Sequence, residues 1–136
     1  MYSISKEFTF SASHQLKGLP DDHPCSRLHG HNYIVDVVIS ASRLDEVGFV
    51  YDYRKLDQFK HYLDRNVDHR HLNDVFTLNP TAELLAVTFW NEIKYGEIGF
   101  LLEQIHDQNY KLLIGVSETP KTWAHYDGEH DDAQTA

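Results

Sequence analysis

The sequence predicts an α+β domain built on an antiparallel sheet. Three observations lead there. Apolar residues alternate with period two over residues 4–14, and a run rich in β-branched residues follows at 28–40. A further alternation, at 110–118, comes only after two segments of helical spacing. Strands first, helices next and a strand last, with no internal repeat or linker, describe one layered domain.

The elements follow in order. In the first strand Ile4, Phe8, Phe10, Ala12 and His14 share a face that only Lys6 interrupts. Gly18, Pro20, two aspartates and Pro24 make residues 17–24 a loop. The second strand carries Ile34, Val35, Val37, Val38 and Ile39, and residues 49–51 read as a short returning strand. Asp52 is placed to cap a helix whose buried stripe is Leu56, Phe59 and Leu63. The polar, histidine-rich stretch 67–78 reads as loop. Asn79-Pro80-Thr81 opens a second helix, where proline in the first turn loses nothing by lacking an N–H. Phe100, Leu101, Leu102 and Ile105 are spaced for a short third helix within 96–109. In the last strand Tyr110, Leu112, Ile114, Val116 and Glu118 share one face, and Leu113 on the other points to burial on both sides. Residues 1–126 form the folded domain, and 127–136, acidic and without apolar pattern, are expected to be a disordered tail.

With 136 residues the chain is long enough for one domain with an adequate core. No apolar run approaches the roughly 18–20 residues that span a bilayer, so no membrane partner is expected. The first residues, MYSISKEF, lack the layout of a signal peptide, and the single cysteine, Cys25, excludes an intrachain disulfide. Both agree with a cytoplasmic location. A net charge of −9 without a basic stripe argues against nucleic acid, where affinity comes from Lys and Arg replacing counterions. A small phosphorylated ligand needs only a few cations in one pocket and stays open.

Ten histidines are unusual in this length, and three of them form a pattern. His29 and His31 flank Gly30 on a strand, so both imidazoles point the same way. His14 ends the preceding strand, and an antiparallel hairpin brings it near the start of the next. Three neutral imidazoles are a catalytic zinc shell, because a fourth position stays open for water or substrate. The competing reading is three histidines with no metal. Cys25, four residues before His29, has three readings: a fourth ligand closing a structural site, a base beside the metal, or inert packing.

The motifs resemble a known family. Phe10-x-Ala12-x-His14, Cys25-Ser26-Arg27-Leu28-His29-Gly30-His31-Asn32, Asp68-His69-Arg70-His71-Leu72-Asn73, Asn79-Pro80-Thr81-Ala82-Glu83 and Glu118-Thr119-Pro120 are similar to those of the 6-pyruvoyltetrahydropterin and 6-carboxytetrahydropterin synthases. The order is the family's, and the motifs span residues 10–126. The Cys-x-x-x-His-Gly-His spacing resembles the 6-carboxy branch of queuosine biosynthesis, the pyruvoyl branch having a longer gap.

The resemblance implies a tunnelling fold, a four-stranded antiparallel sheet with two helices on one face. It also implies homohexamers made of two trimeric barrels, with active sites at subunit interfaces. It implies a Zn2+ ion on His14, His29 and His31, and Cys25 as proton acceptor. Asp68 and His69 become a relay pair, and Glu118 an anchor for the pterin or a member of the relay. The implied enzyme is a lyase acting on 7,8-dihydroneopterin triphosphate, with triphosphate lost by elimination and acetaldehyde by C–C cleavage. Each residue has a plainer reading: Asp68–His69 as a turn cap, Glu118 as a surface charge, and Thr81 as a helix cap rather than a pterin contact. Arg27 is a candidate for the triphosphate. The alternatives are a sibling reaction (6-pyruvoyltetrahydropterin formation or cleavage of dihydroneopterin) and a non-catalytic zinc- or pterin-binding module.

Overall fold

The computed structural model describes residues 1–129; of the expected tail, residues 130–136 lie outside the described residues. Strands β1 (Tyr2–His14) and β2 (His29–Ala41) form a hairpin paired over its full length, from Tyr2 opposite Ala41 to His14 opposite His29. Helix α1 (Asp57–Asn66), strand β3 (Arg70–His71), the single turn α2 (Leu72–Val75) and helix α3 (Ala82–Lys94) follow. Strands β4 (Lys111–Thr119) and β5 (Thr122–Tyr126) close the fold. The sheet order is β3-β1-β2-β4-β5.

Alternation decides which face is covered. Phe8, Phe10, Ala12, Tyr33, Val35, Val37, Leu112, Ile114 and Val116 are buried and all point to the helix side. Phe10 stacks on Tyr33 with ring centroids 4.7 Å apart, and Phe89 of α3 meets both Phe10 and Phe59 of α1 edge-on at 5.8 and 5.7 Å. This aromatic knot ties two helices to one face. Trp90 Nε1 then locks α3 to the sheet by donating to the Leu112 carbonyl at 2.8 Å.

The sheet departs from expectation in having five strands and mixed direction. β3 runs parallel to β1, pairing Arg70 with Ala12 and His71 with Ser13, inside what reads as loop. That stretch also holds α2. β5 returns as a hairpin on β4 and has no counterpart in the expected strands. Residues 49–51 are not a strand. The Asp45 carboxylate accepts the N–H groups of Val47, Gly48 and Phe49, winding this segment into a turn, and Val50 and Tyr51 are buried from there. Asp52 does cap, but it caps a 3-10 turn, Tyr53–Leu56, that runs into α1. No third helix forms over 96–109. Ile98, Leu101, Leu102 and Ile105 are buried at helical spacing, but through successive tight turns closed by bonds such as Gly99 N–H to Gly96 carbonyl at 3.0 Å.

Candidate metal centre and pterin site

The hairpin register builds the metal set. His14 lies directly opposite His29, and His31 is two residues along on the same face, opposite Ala12. Three ring nitrogens, one from each of His14, His29 and His31, all lie within 4.8 Å of one another. Among the described residues this is the one such group, and neither Cys25 nor the Asp68–His69 pair joins it.

Hydrogen bonds behind two of the rings place their protons. His29 Nδ1 is 2.6 Å from the Arg27 carbonyl, which can only accept, so Nδ1 carries the hydrogen and Nε2 is bare. His14 Nδ1 is 2.8 Å from the Pro80 carbonyl, and the same argument bares its Nε2. Those two bare nitrogens face each other at 3.0 Å. The third, His31 Nε2, is buried and has no hydrogen-bond partner. Lone pairs aimed at one another without a proton between them are satisfied by a shared cation. Three imidazoles with an open fourth side suit zinc. Burial holds the His14 and His31 rings below the usual histidine pKa, against the opposing charge of Glu118, and so keeps them in the neutral form that binds metal.

Two groups behind His14 escaped the sequence reading. The Pro80 carbonyl is one, and no residue type signals it. Tyr33 is the other: it is fully buried, its hydroxyl lies 3.1 Å from His14 Nδ1, and burial raises its own pKa far above the ordinary tyrosine value. Its signal was available, since Tyr33 continues the alternation of His29 and His31.

Glu118 reaches the centre from β4, with Oε2 3.7 Å from His31 Nε2. It also lines a cavity with Thr81, Glu83, Val116 and Trp123. Thr81 caps α3 by accepting the Leu84 N–H at 3.1 Å, and from the same position it borders that cavity, so both of its readings hold structurally. Glu83 and Trp123 are further members that sequence reasoning did not single out. Asp68 accepts the Ser11 N–H at 2.9 Å through one oxygen and meets His69 Nδ1 at 3.0 Å through the other. The Ser11 bond, first, and His69 hold its carboxyl below the usual range. His69 sits at φ +60° with its ring exposed, beside a groove lined by Ser11, Ser13 and Asn32. Cys25 lies in the 3-10 turn Pro24–Ser26, half-buried, its N–H donating to His23 Nδ1 at 3.0 Å.

Residues 3–129 match the model of the family described as 6-pyruvoyl tetrahydropterin synthase. The chain belongs to this family. Among its relatives in the synthase family, a 6-carboxy-5,6,7,8-tetrahydropterin synthase of Synechocystis is 38% identical over 105 residues, covering 73% of this chain and 78% of the relative. One of the same name from Bacillus subtilis is 27% identical over 132 residues, covering 92% and 84%. The solved 6-pyruvoyl tetrahydropterin synthase of Caenorhabditis elegans superposes with a TM-score of 0.75 at 25% identity, covering 94% of this chain and 96% of that one. The synthase fold therefore extends over nearly all of the described residues.

Proposed function

We propose that this chain is a zinc-dependent 6-carboxy-5,6,7,8-tetrahydropterin synthase. It converts 7,8-dihydroneopterin triphosphate and one water to 6-carboxytetrahydropterin with release of acetaldehyde and triphosphate, on the route to queuosine and other 7-deazapurines. The observation that carries this reading is the set of three converging imidazole nitrogens next to a cavity holding Glu118 and Thr81. It stands in a chain whose relatives bear that enzyme's name.

His14, His29 and His31 would hold the zinc, which as a Lewis acid acidifies hydroxyl and adjacent C–H bonds of the substrate side chain. Cys25, as thiolate, takes the proton released there. Asp68 fixes the His69 ring through its 3.0 Å contact, so that the imidazole can deliver a proton to a second atom. Glu118 accepts two adjacent N–H groups of the pterin ring, a bidentate match for a carboxylate. Thr81 borders the same cavity and contributes a hydroxyl.

A homo-oligomer belongs to this reading. From Tyr2 to Phe10, β1 is paired only with β2, because Asp68 and His69 bond to it at Ser11 and β3 meets it at Ala12 and Ser13. β5 forms the other border of the sheet. Unpaired strand edges of this length are stabilised by pairing between copies. The exposed ring of His69, in a groove that His31 also lines, leaves room for a neighbouring subunit to complete the site.

The deciding experiment is product identification by mass spectrometry after incubation of the zinc-loaded protein with 7,8-dihydroneopterin triphosphate. 6-Carboxytetrahydropterin with acetaldehyde supports the proposal. 6-Pyruvoyltetrahydropterin would assign the sibling reaction of the C. elegans relative, and no turnover would leave a binding module.

A further inference from the structure

Beyond His14 the chain continues as residues 15–17 with no strand beside it, and two asparagine side chains take the strand's place. Asn73 Oδ1 accepts the Gln15 N–H at 2.9 Å, and Asn73 Nδ2 donates to the Gln15 carbonyl at 2.8 Å. Asn79 repeats the arrangement on Lys17, at 2.9 and 3.0 Å. A carboxamide offers one donor and one acceptor side by side, as a backbone amide pair does, so each asparagine supplies two ladder bonds. Aspartate could not donate to the carbonyl, and glutamine would overshoot by a methylene.

Leu16, between the two clamped residues, directs its N–H the other way, to the Cys25 carbonyl at 3.0 Å. The Gln15 side chain donates to the next carbonyl, that of Ser26, at 2.8 Å. The other bonds of the cysteine turn are local: Cys25 N–H to His23 Nδ1, Ser26 hydroxyl to the His23 carbonyl, and Arg27 N–H to the Pro24 carbonyl. Besides the bond that His29 Nδ1 donates to the Arg27 carbonyl at 2.6 Å, the turn is tied to the rest of the fold through residues 15 and 16, and these are held by Asn73 directly and by Asn79 through Lys17.

We propose that Asn73 and Asn79 are positioning residues for Cys25, acting as a strand mimic that fixes the cysteine turn relative to the end of the strand carrying His14. The proposal rests on the reading of Cys25 as the proton acceptor. Neither asparagine touches the metal set, so their contribution is to geometry at the thiol. Displacements on the order of 1 Å of a reacting group cost up to about 100-fold in rate.

Cys25 is the sole thiol of the chain, so alkylation by iodoacetamide reports on it alone. The alkylation rate against pH would be measured on zinc-loaded and zinc-free protein for the wild type, Asn73→Ala, Asn79→Ala and Asn73→Asp, together with zinc content, kcat and KM. Cys25→Ala serves as the reference for lost turnover. In the wild type the thiol profile responds to zinc, because the metal's charge favours the thiolate. In the asparagine variants that response is expected to shrink toward zero. Zinc content should stay at the wild-type level, and kcat should fall about 10- to 100-fold with a smaller change in KM. Wild-type kcat and an unchanged zinc-dependent profile in Asn73→Ala and Asn79→Ala, while Cys25→Ala is inactive, overturn the positioning role and leave the Cys25 reading intact. Loss of zinc from the asparagine variants also overturns it, since their role would then be support of the metal set. Wild-type turnover by Cys25→Ala removes the reading underneath and the proposal with it. Should either alanine variant unfold, Asn73→Asp, which keeps one of the two bonds, carries the same comparison.

Discussion

Glu118 stands 3.7 Å from the metal-facing nitrogen of His31 while bordering the cavity that Thr81 also lines. One carboxylate thus joins the metal set to the proposed pterin pocket. Glu118→Gln keeps the shape but replaces an acceptor oxygen with a donor amide, which cannot match two ring N–H groups. Pterin affinity should fall by about tenfold or more, the worth of a charged hydrogen bond, with zinc content retained. Titration of a stable pterin with each protein measures it, and equal dissociation constants would make Glu118 a surface charge.

For the histidines the expected outcome is loss of metal. His29→Ala removes one of the two nitrogens that face each other at 3.0 Å. Zinc, expected at one per chain in the wild type, should be mostly lost, and turnover with it. Elemental analysis after dialysis gives the answer. Full zinc content in this variant would refute the ligand assignment.

Cys25→Ala separates a base from a ligand. Because Cys25 lies outside the set of three nitrogens, zinc and melting temperature should be retained while turnover falls by roughly 10²–10⁴-fold. A joint loss of zinc and stability would place the thiol in the coordination shell instead, since metal binding energy is partly folding energy. Retained zinc with near-normal turnover would return the residue to inert packing.

Asp68 should show itself in acid. Its folded pKa lies below the ordinary carboxylate value because the carboxylate accepts the Ser11 N–H and meets His69. The unfolded chain therefore binds the proton more readily. The contribution to stability is complete above the unfolded value of about 3.9 and is lost as pH falls through the lower folded value. Asp68→Asn should cost on the order of 1 kcal/mol near neutrality, a difference that shrinks as the pH falls through the lowered folded value. Denaturant unfolding of both proteins at several pH values tests this, and a gap independent of pH would contradict it.

Light scattering at micromolar concentration should report a homo-oligomer, with a hexamer expected. The long free edge of β1 and the border strand β5 are the structural motive. A monomer would remove the interface-built site from the proposal.

What the sequence made legible was local periodicity. Alternation alone puts His29, His31 and Tyr33 on one side of β2 and His14 on the matching side of β1, and that suffices to assemble the metal set. β3 was not legible because nothing in Arg70-His71 favours a strand. The two residues pair with Ala12 and Ser13 because Asp68 and His69 are already bonded to Ser11. The apolar spacing of Phe100, Leu101, Leu102 and Ile105 imitates a helix, yet Phe100 is exposed, Ile98 is buried in its stead, and the chain closes in shorter turns at Gly96 and Gly99. β5 hid in a short run, Thr122–Tyr126, whose strand character comes from pairing with β4. Cys25, Asp68 and His69 were recognisable by motif, but that they stand outside the group of three nitrogens is tertiary information.

The opposition of His14 and His29 gives the hairpin a chemical proofreader. A slip of one residue would turn one strand's histidines to the other face of the sheet. A slip of two keeps the face: in one direction it carries His14 about 7 Å further from both partners, and in the other it sets His14 across from His31. A metal held by the three rings would therefore disfavour every one-residue slip and one of the two two-residue slips of the first two strands. Its binding energy would add to the alignment of the thirteen paired positions of that hairpin.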